Sequence, residues 1–151
     1  MAKRAATPRR SARAFLQQVA DELPNHLPPR LRDFSSEQWG RYYKVWFGAD
    51  KKVHFEVQFI AGGRLEIGLH LESDPATNER IGSTLERKRA AIRRALGEEA
   101  AFGSHGNGWR SLAERWSGGD LRAEETATEA AARLAEYVEV VAPLLSGRPR
   151  G

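Results

Sequence analysis

The sequence predicts an α+β fold: an antiparallel sheet of about five strands (β-β-β-α-β-β-α), with helices packed on one face and a further helix at the N-terminus. Three observations carry this. Residues 42–47, 53–59 and 65–71 alternate apolar and polar side chains with period two. Residues 75–96 and 122–141 carry apolar residues at helical spacing. Asn107-Gly108, a strong hairpin-turn dipeptide, separates two further short strands near 99–104 and 109–116.

The elements follow in order. Ser11 caps a helix through about Glu22, with Phe15, Leu16, Val19 and Leu23 on one face. Pro24, Pro28 and Pro29 make 24–33 a connector. Ser35 or Ser36 caps a short helix carrying Trp39. The three alternating segments then form a meander whose apolar face collects Tyr43, Val45, Phe55, Val57, Ile67 and Leu69, among others. Asp74-Pro75 starts a helix striped by Ile81, Leu85, Ile92 and Leu96, and Gly97 stops it. Trp109, Leu112, Ala113 and Trp116 have helical spacing, but the turn dipeptide favours strands there. The last helix turns Ala127, Ala131, Leu134, Val138 and Val141 inward and ends at Pro143.

A single domain is expected over 11–145, with disordered basic tails at 1–10 and 146–151. Seven of the 24 Lys and Arg residues lie in 1–13 and 146–151, where there are no acids. That leaves 17 basic against 20 acidic residues in between, so the pI near 9.8 belongs to the ends. No apolar run approaches the ~18 residues of a membrane span. The chain has no cysteine, which removes disulfides, thiolate nucleophiles and thiolate metal ligands. With no targeting segment read, a cytoplasmic location without membrane contact is expected.

The second face of the meander carries the chemistry. Tyr42, Lys44 and Trp46 lie on it from the first segment, His54, Glu56 and Gln58 from the second, and Arg64, Glu66, His70 and Glu72 from the third. Keeping every apolar residue on the other face excludes odd slips, and pairing Phe59 with Leu65 and Phe47 with Val53 across the turns chooses the register. In the second hairpin, positions summing to 124 face each other, which sets His54 opposite His70 and Gln58 opposite Glu66. In the first, positions sum to 100, which sets Trp46 opposite His54 and Lys44 opposite Glu56. His54, His70, Glu56 and Glu72 are therefore the candidates for a metal site or an acid–base pair. The competing reading is a solvated face decorated with compatible polar pairs, holding neither metal nor cofactor, and it is the expectation.

Other motifs exclude more than they suggest. A restriction-type nuclease needs Glu-x-Lys on a strand, and Glu56-Val57-Gln58 and Glu66-Ile67-Gly68 both lack the lysine. No Gly-x-Ser-x-Gly occurs, and Ser104-His105 reads as part of a turn. The glycines at 103, 106 and 108 lack the Gly-Lys-Ser/Thr ending of a phosphate loop. On the 75–96 helix, Arg80, Arg87 and Arg94 recur every seven residues, with Lys88 alongside. Such a stripe suits nucleic acid or an acidic protein partner. It equally suits internal pairing with Glu124, Glu125, Glu129, Glu136 and Glu139 of the last helix.

Leu65-Glu66-Ile67-Gly68-Leu69-His70-Leu71, Asn78, Leu85, Lys88, Ile92 and Leu96-Gly97, followed by Gly108-Trp109 and Gly119-Asp120-Leu121, resemble a bacterial domain family of unknown function. That family is often found beside restriction-type nuclease modules. The resemblance spans about 42–145 and implies an association with DNA processing, with no catalytic residues to carry over.

The leading expectation is thus a non-catalytic binding or accessory domain, with nucleic acid or a DNA-processing partner as ligand. A small enzyme using the His/Glu cluster is the second reading, and a self-associating module, a homo-oligomer, is the third.

Overall fold

A computed structural model describes residues 10–145. The basic tails expected at 1–10 and 146–151 lie outside the described residues, Arg10 excepted. The order is α1 (Ala12–His26), a 3-10 turn (Pro29–Leu31), β1 (Ser35–Trp39), β2 (Tyr42–Trp46), β3 (Val53–Ile60) and β4 (Arg64–Leu71), then α2 (Pro75–Arg87), α3 (Arg89–Leu96), β5 (Ala101–Ser104), β6 (Arg110–Trp116) and α4 (Glu124–Leu145). The six strands form one antiparallel sheet in the order β1-β2-β3-β4-β6-β5. The architecture is α+β, as the alternating and helical periodicities predict. Among the described residues no helix is long and apolar enough to cross a membrane.

The helices share one sheet face. Phe15 of α1 packs edge-on against Phe59, Arg89 of α3 lies over Phe102, and Tyr137 of α4 bonds to Glu114. The core between the layers holds Phe15, Leu16, Val45, Phe55, Val57, Ile67, Leu69, Leu134 and Val138, all at most 1% exposed. Ser11 caps α1 by accepting from the Ala14 N–H, and Asp74 caps α2 by accepting from the Thr77 N–H.

Four expectations need correction. Residues 35–39 form an edge strand, not a short helix, and Ser36↔Val45 and Gln38↔Tyr43 place it beside β2. Gly40 at φ +55 makes the tight reversal that lets those two strands pair. Pro24 does not end the first helix, and Pro143 lies inside the last. Both sit near a helix C-terminus, where few residues remain to be disrupted. The 75–96 helix is two helices, because the Lys88 N–H bonds to the Leu85 carbonyl, one residue short of α spacing. The break still leaves Leu85, Ile92 and Leu96 buried. Strands at 101–104 and 110–116 meet the expectation drawn from Asn107-Gly108.

Candidate functional site

The register places the candidate residues together. β3 and β4 pair with His54↔His70, Gln58↔Glu66 and Val53↔Leu71, and β2 and β3 pair with Lys44↔Glu56. The β2–β3 ladder stops at Val45↔Phe55, one step short of Trp46. Beside the cluster, Gly68, Ala113, Gly103 and Ala101 continue the same face across β4, β6 and β5 with little or no side chain. At Gly68 a Cβ would fall 2.3 Å from the Leu112 carbonyl oxygen, so β6 approaches there as only glycine permits.

The face is not the solvated one expected from its polarity. His54 is 1% exposed, Glu56 3%, and Glu66 and His70 7% each, although the helices lie on the other side. The side chains bury one another. The rings of His54 and His70 stack 5.9 Å apart, at 13° from parallel. Glu56 stands among three nitrogens, with Oε1 3.8 Å from His54 Nε2 and 3.6 Å from His70 Nε2, and Oε2 3.9 Å from Lys44 Nζ.

The two histidines differ. His70 Nε2 lies 2.9 Å from Glu66 Oε1, an ion pair without hydrogen-bond alignment, and its Nδ1 lies 3.5 Å from Glu72 Oε2. Burial opposes its charge, but Glu66, Glu72 and Glu56 prevail and raise its pKa to about 9. Burial likewise pushes Glu66 up, yet His70, Gln58 and Arg115 pull it down to about 2. Glu72 is also lowered: burial is outweighed by His70 and His54. His70 is therefore an imidazolium held in a cage of carboxylates.

His54 is held the other way round. Its Nδ1 is 2.9 Å from the Lys51 carbonyl oxygen, which accepts only, so Nδ1 carries the hydrogen. In the neutral ring this leaves a lone pair on Nε2. That atom is buried and has no hydrogen-bond partner among the described residues. It lies 3.8 Å from Glu56 Oε1 and 3.8 Å from Glu72 Oε1, and one ligand atom from each of the three residues falls within 4.8 Å of the others. A tetrahedral centre with bonds of about 2.1 Å spaces its ligands about 3.4 Å apart, so small rotamer shifts bring all three onto one ion. The Nδ1–carbonyl bond is the outer contact that fixes a ligating histidine in its tautomer.

The basic stripe is less coherent. Arg80, Arg87, Lys88 and Arg94 are all exposed, but the break at Lys88 puts them on two helices. None of them pairs with an acid of α4 among the described residues. Glu79 and Glu86 pair instead with Arg110, which the sequence did not single out.

Sequence reasoning also missed Glu114, which alternation places on the apolar face. It is 6% exposed, takes hydrogen bonds from Tyr137 and Trp116 and pairs with Arg133 at 2.8 Å. Burial pushes the Tyr137 hydroxyl pKa up, and Glu114 adds to the effect. A charged residue among apolar ones, opposite an arginine on the inner side of a helix, was the available signal.

No family model, curated protein or solved structure matches this chain.

Proposed function

We propose that this is a metal-binding domain in which His54, Glu56 and Glu72 hold a divalent first-row cation on the polar face of the sheet. One observation carries the proposal: the Nε2 of His54, buried without a hydrogen-bond partner, in a ring fixed by the Lys51 carbonyl and 3.8 Å from two carboxylates. A buried polar atom without a partner costs about 1–3 kcal/mol unless something satisfies it. One imidazole and two carboxylates suit zinc, manganese or iron better than calcium or magnesium, which take oxygen ligands. Three protein ligands leave a coordination position open, as in sites that take an exchangeable ligand. The small-enzyme reading of the His/Glu cluster fits this arrangement.

The test is zinc binding by chelator-stripped protein, followed by calorimetry and thermal unfolding. Zinc at a hundredfold excess over its dissociation constant should add about 2.7 kcal/mol of stability. His54→Ala should abolish the response and Glu72→Gln should weaken it. Wild-type protein that binds no zinc at one equivalent removes the proposal.

A second reading, contact with DNA or another polyanion, is favoured by Arg80, Arg87, Lys88 and Arg94, exposed and without acid partners among the described residues. It agrees with the association implied by the family resemblance. Binding should then fall steeply with salt and weaken in Arg87→Glu/Arg94→Glu. No binding at low salt removes it.

A further inference from the structure

The ligand set around His54 is repeated around His70. Nε2 of His70 is also buried and without a hydrogen-bond partner among the described residues. It lies 2.9 Å from Glu66 Oε1 and 3.6 Å from Glu56 Oε1. Those spacings bracket the about 3.4 Å between ligands of a tetrahedral centre. The far nitrogen of each ring has its own oxygen neighbour, the Lys51 carbonyl at His54 and, at 3.5 Å, Glu72 Oε2 at His70. A carboxylate or carbonyl in that position is the common outer partner of a ligating histidine.

The backbone explains why the second set can meet. Glu66 and His70 are four residues apart on β4, about 13 Å along an extended strand. Their side chains span that gap because the residue between them on the same face is Gly68. Gly68 faces Glu56 across the ladder, so Glu56 stands beside the gap. Gln58 Nε2 donates to Glu66 Oε1 at 2.7 Å and Arg115 Nε to Glu66 Oε2 at 3.2 Å, which fixes that carboxylate. A cavity of ≈ 300 Å³, lined in part by Glu66, His70 and Glu72, gives an ion a way in.

Glu56 joins the two sets. Its Oε1 lies 3.8 Å from Nε2 of His54 and 3.6 Å from Nε2 of His70. Two-metal sites hold their ions about 3.5–4 Å apart, within reach of one shared carboxylate. We infer that the polar face holds a pair of divalent first-row cations bridged by Glu56, the second ion taken by His70 and Glu66. The inference rests on the metal reading above, which supplies the first ion. Coordination replaces the proton on His70, which leaves to solvent. The second ion therefore binds more weakly than the first. It also depends on the first, because Glu56 fixed by one ion is preorganised for the other.

The experiment titrates the chelator-stripped full chain with cobalt(II) at neutral pH, following bound metal by equilibrium dialysis and the cobalt EPR signal. Wild type should bind two equivalents. The signal should grow over the first and fall over the second, because ions sharing a carboxylate couple magnetically. Glu66→Gln keeps the first ligand set and removes one ligand of the second. It should bind one equivalent, with the first affinity within about threefold of wild type and a signal that does not fall. A single equivalent in wild type overturns this inference and leaves the metal site standing. So do two equivalents with no loss of signal, or a coupled pair that survives in Glu66→Gln. Protein that binds no cobalt removes the metal reading and this one with it.

Discussion

Replacing His70 with alanine tests whether the polar face is a buried ionic cluster or surface decoration. In metal-free protein the ring is a cation 7% exposed, with carboxylate oxygens of Glu66, Glu72 and Glu56 at 2.9, 3.5 and 3.6 Å. Removing it leaves three acids without the cation they share. Breaking a buried pair from one side costs about 3–5 kcal/mol. The rise of the His70 pKa from 6.5 to about 9 corresponds to about 3 kcal/mol, the same size. For a domain of this length each kcal/mol moves the melting temperature by about 2–4 °C, so the variant should melt about 6–20 °C lower. The assay is thermal unfolding followed by circular dichroism at pH 6 in chelator. A raised folded-state pKa gives stability that is complete below 6.5 and lost as pH rises through 9. The gap between wild type and variant should therefore close above pH 9. A loss within about 0.5 kcal/mol at pH 6, as for exposed substitutions, would refute the reasoning.

Three further outcomes are expected. Glu66, with its pKa lowered to about 2, contributes stability that is complete above 4.5 and lost as pH falls toward 2; Glu66→Gln should flatten the acid limb of a stability–pH curve. Arg133→Ala strands Glu114 beneath α4 and should cost about 3–5 kcal/mol in urea unfolding, whereas Tyr137→Phe removes one hydrogen bond and should cost about 1–3. Gly68→Ala drives a methyl group into the Leu112 carbonyl and the Ala113 side chain; it should cost about 1–3 kcal/mol of unfolding free energy, read as a lower urea midpoint, and a wild-type midpoint would contradict the close approach of β6.

The meander was legible because period-two alternation, with one face buried, excludes odd slips, and the turn lengths choose among the registers that remain. Lys44↔Glu56 and His54↔His70 follow from those two constraints together. Strand 35–39 was hidden because Ser-Ser-Glu-Gln has no apolar alternation, and an edge strand is held by backbone bonds more than by its side chains. The break at Lys88 carries no glycine or proline to announce it. At the site, the membership of the cluster was readable, but its burial was not. Polarity suggested solvent, and only the mutual packing of His54, Glu56, Glu66 and His70 shows a dry interior.

The strand order also bears on how the molecule assembles. β1 to β4 pair strictly with sequence neighbours, whereas Gly68 meets Ala113 only after a long crossover through α2 and α3. Closing that loop costs chain entropy that the hairpins avoid. His54, Glu56, Glu66, His70 and Glu72 all belong to the β3–β4 hairpin or its immediate end, a part closed by a three-residue turn. Loop-closure entropy therefore predicts that the cluster comes together before β5 and β6 dock. An ion captured by the hairpin would act on the folding rate as well as on the final stability. Transplanting that hairpin into another antiparallel sheet would carry the ligands with it.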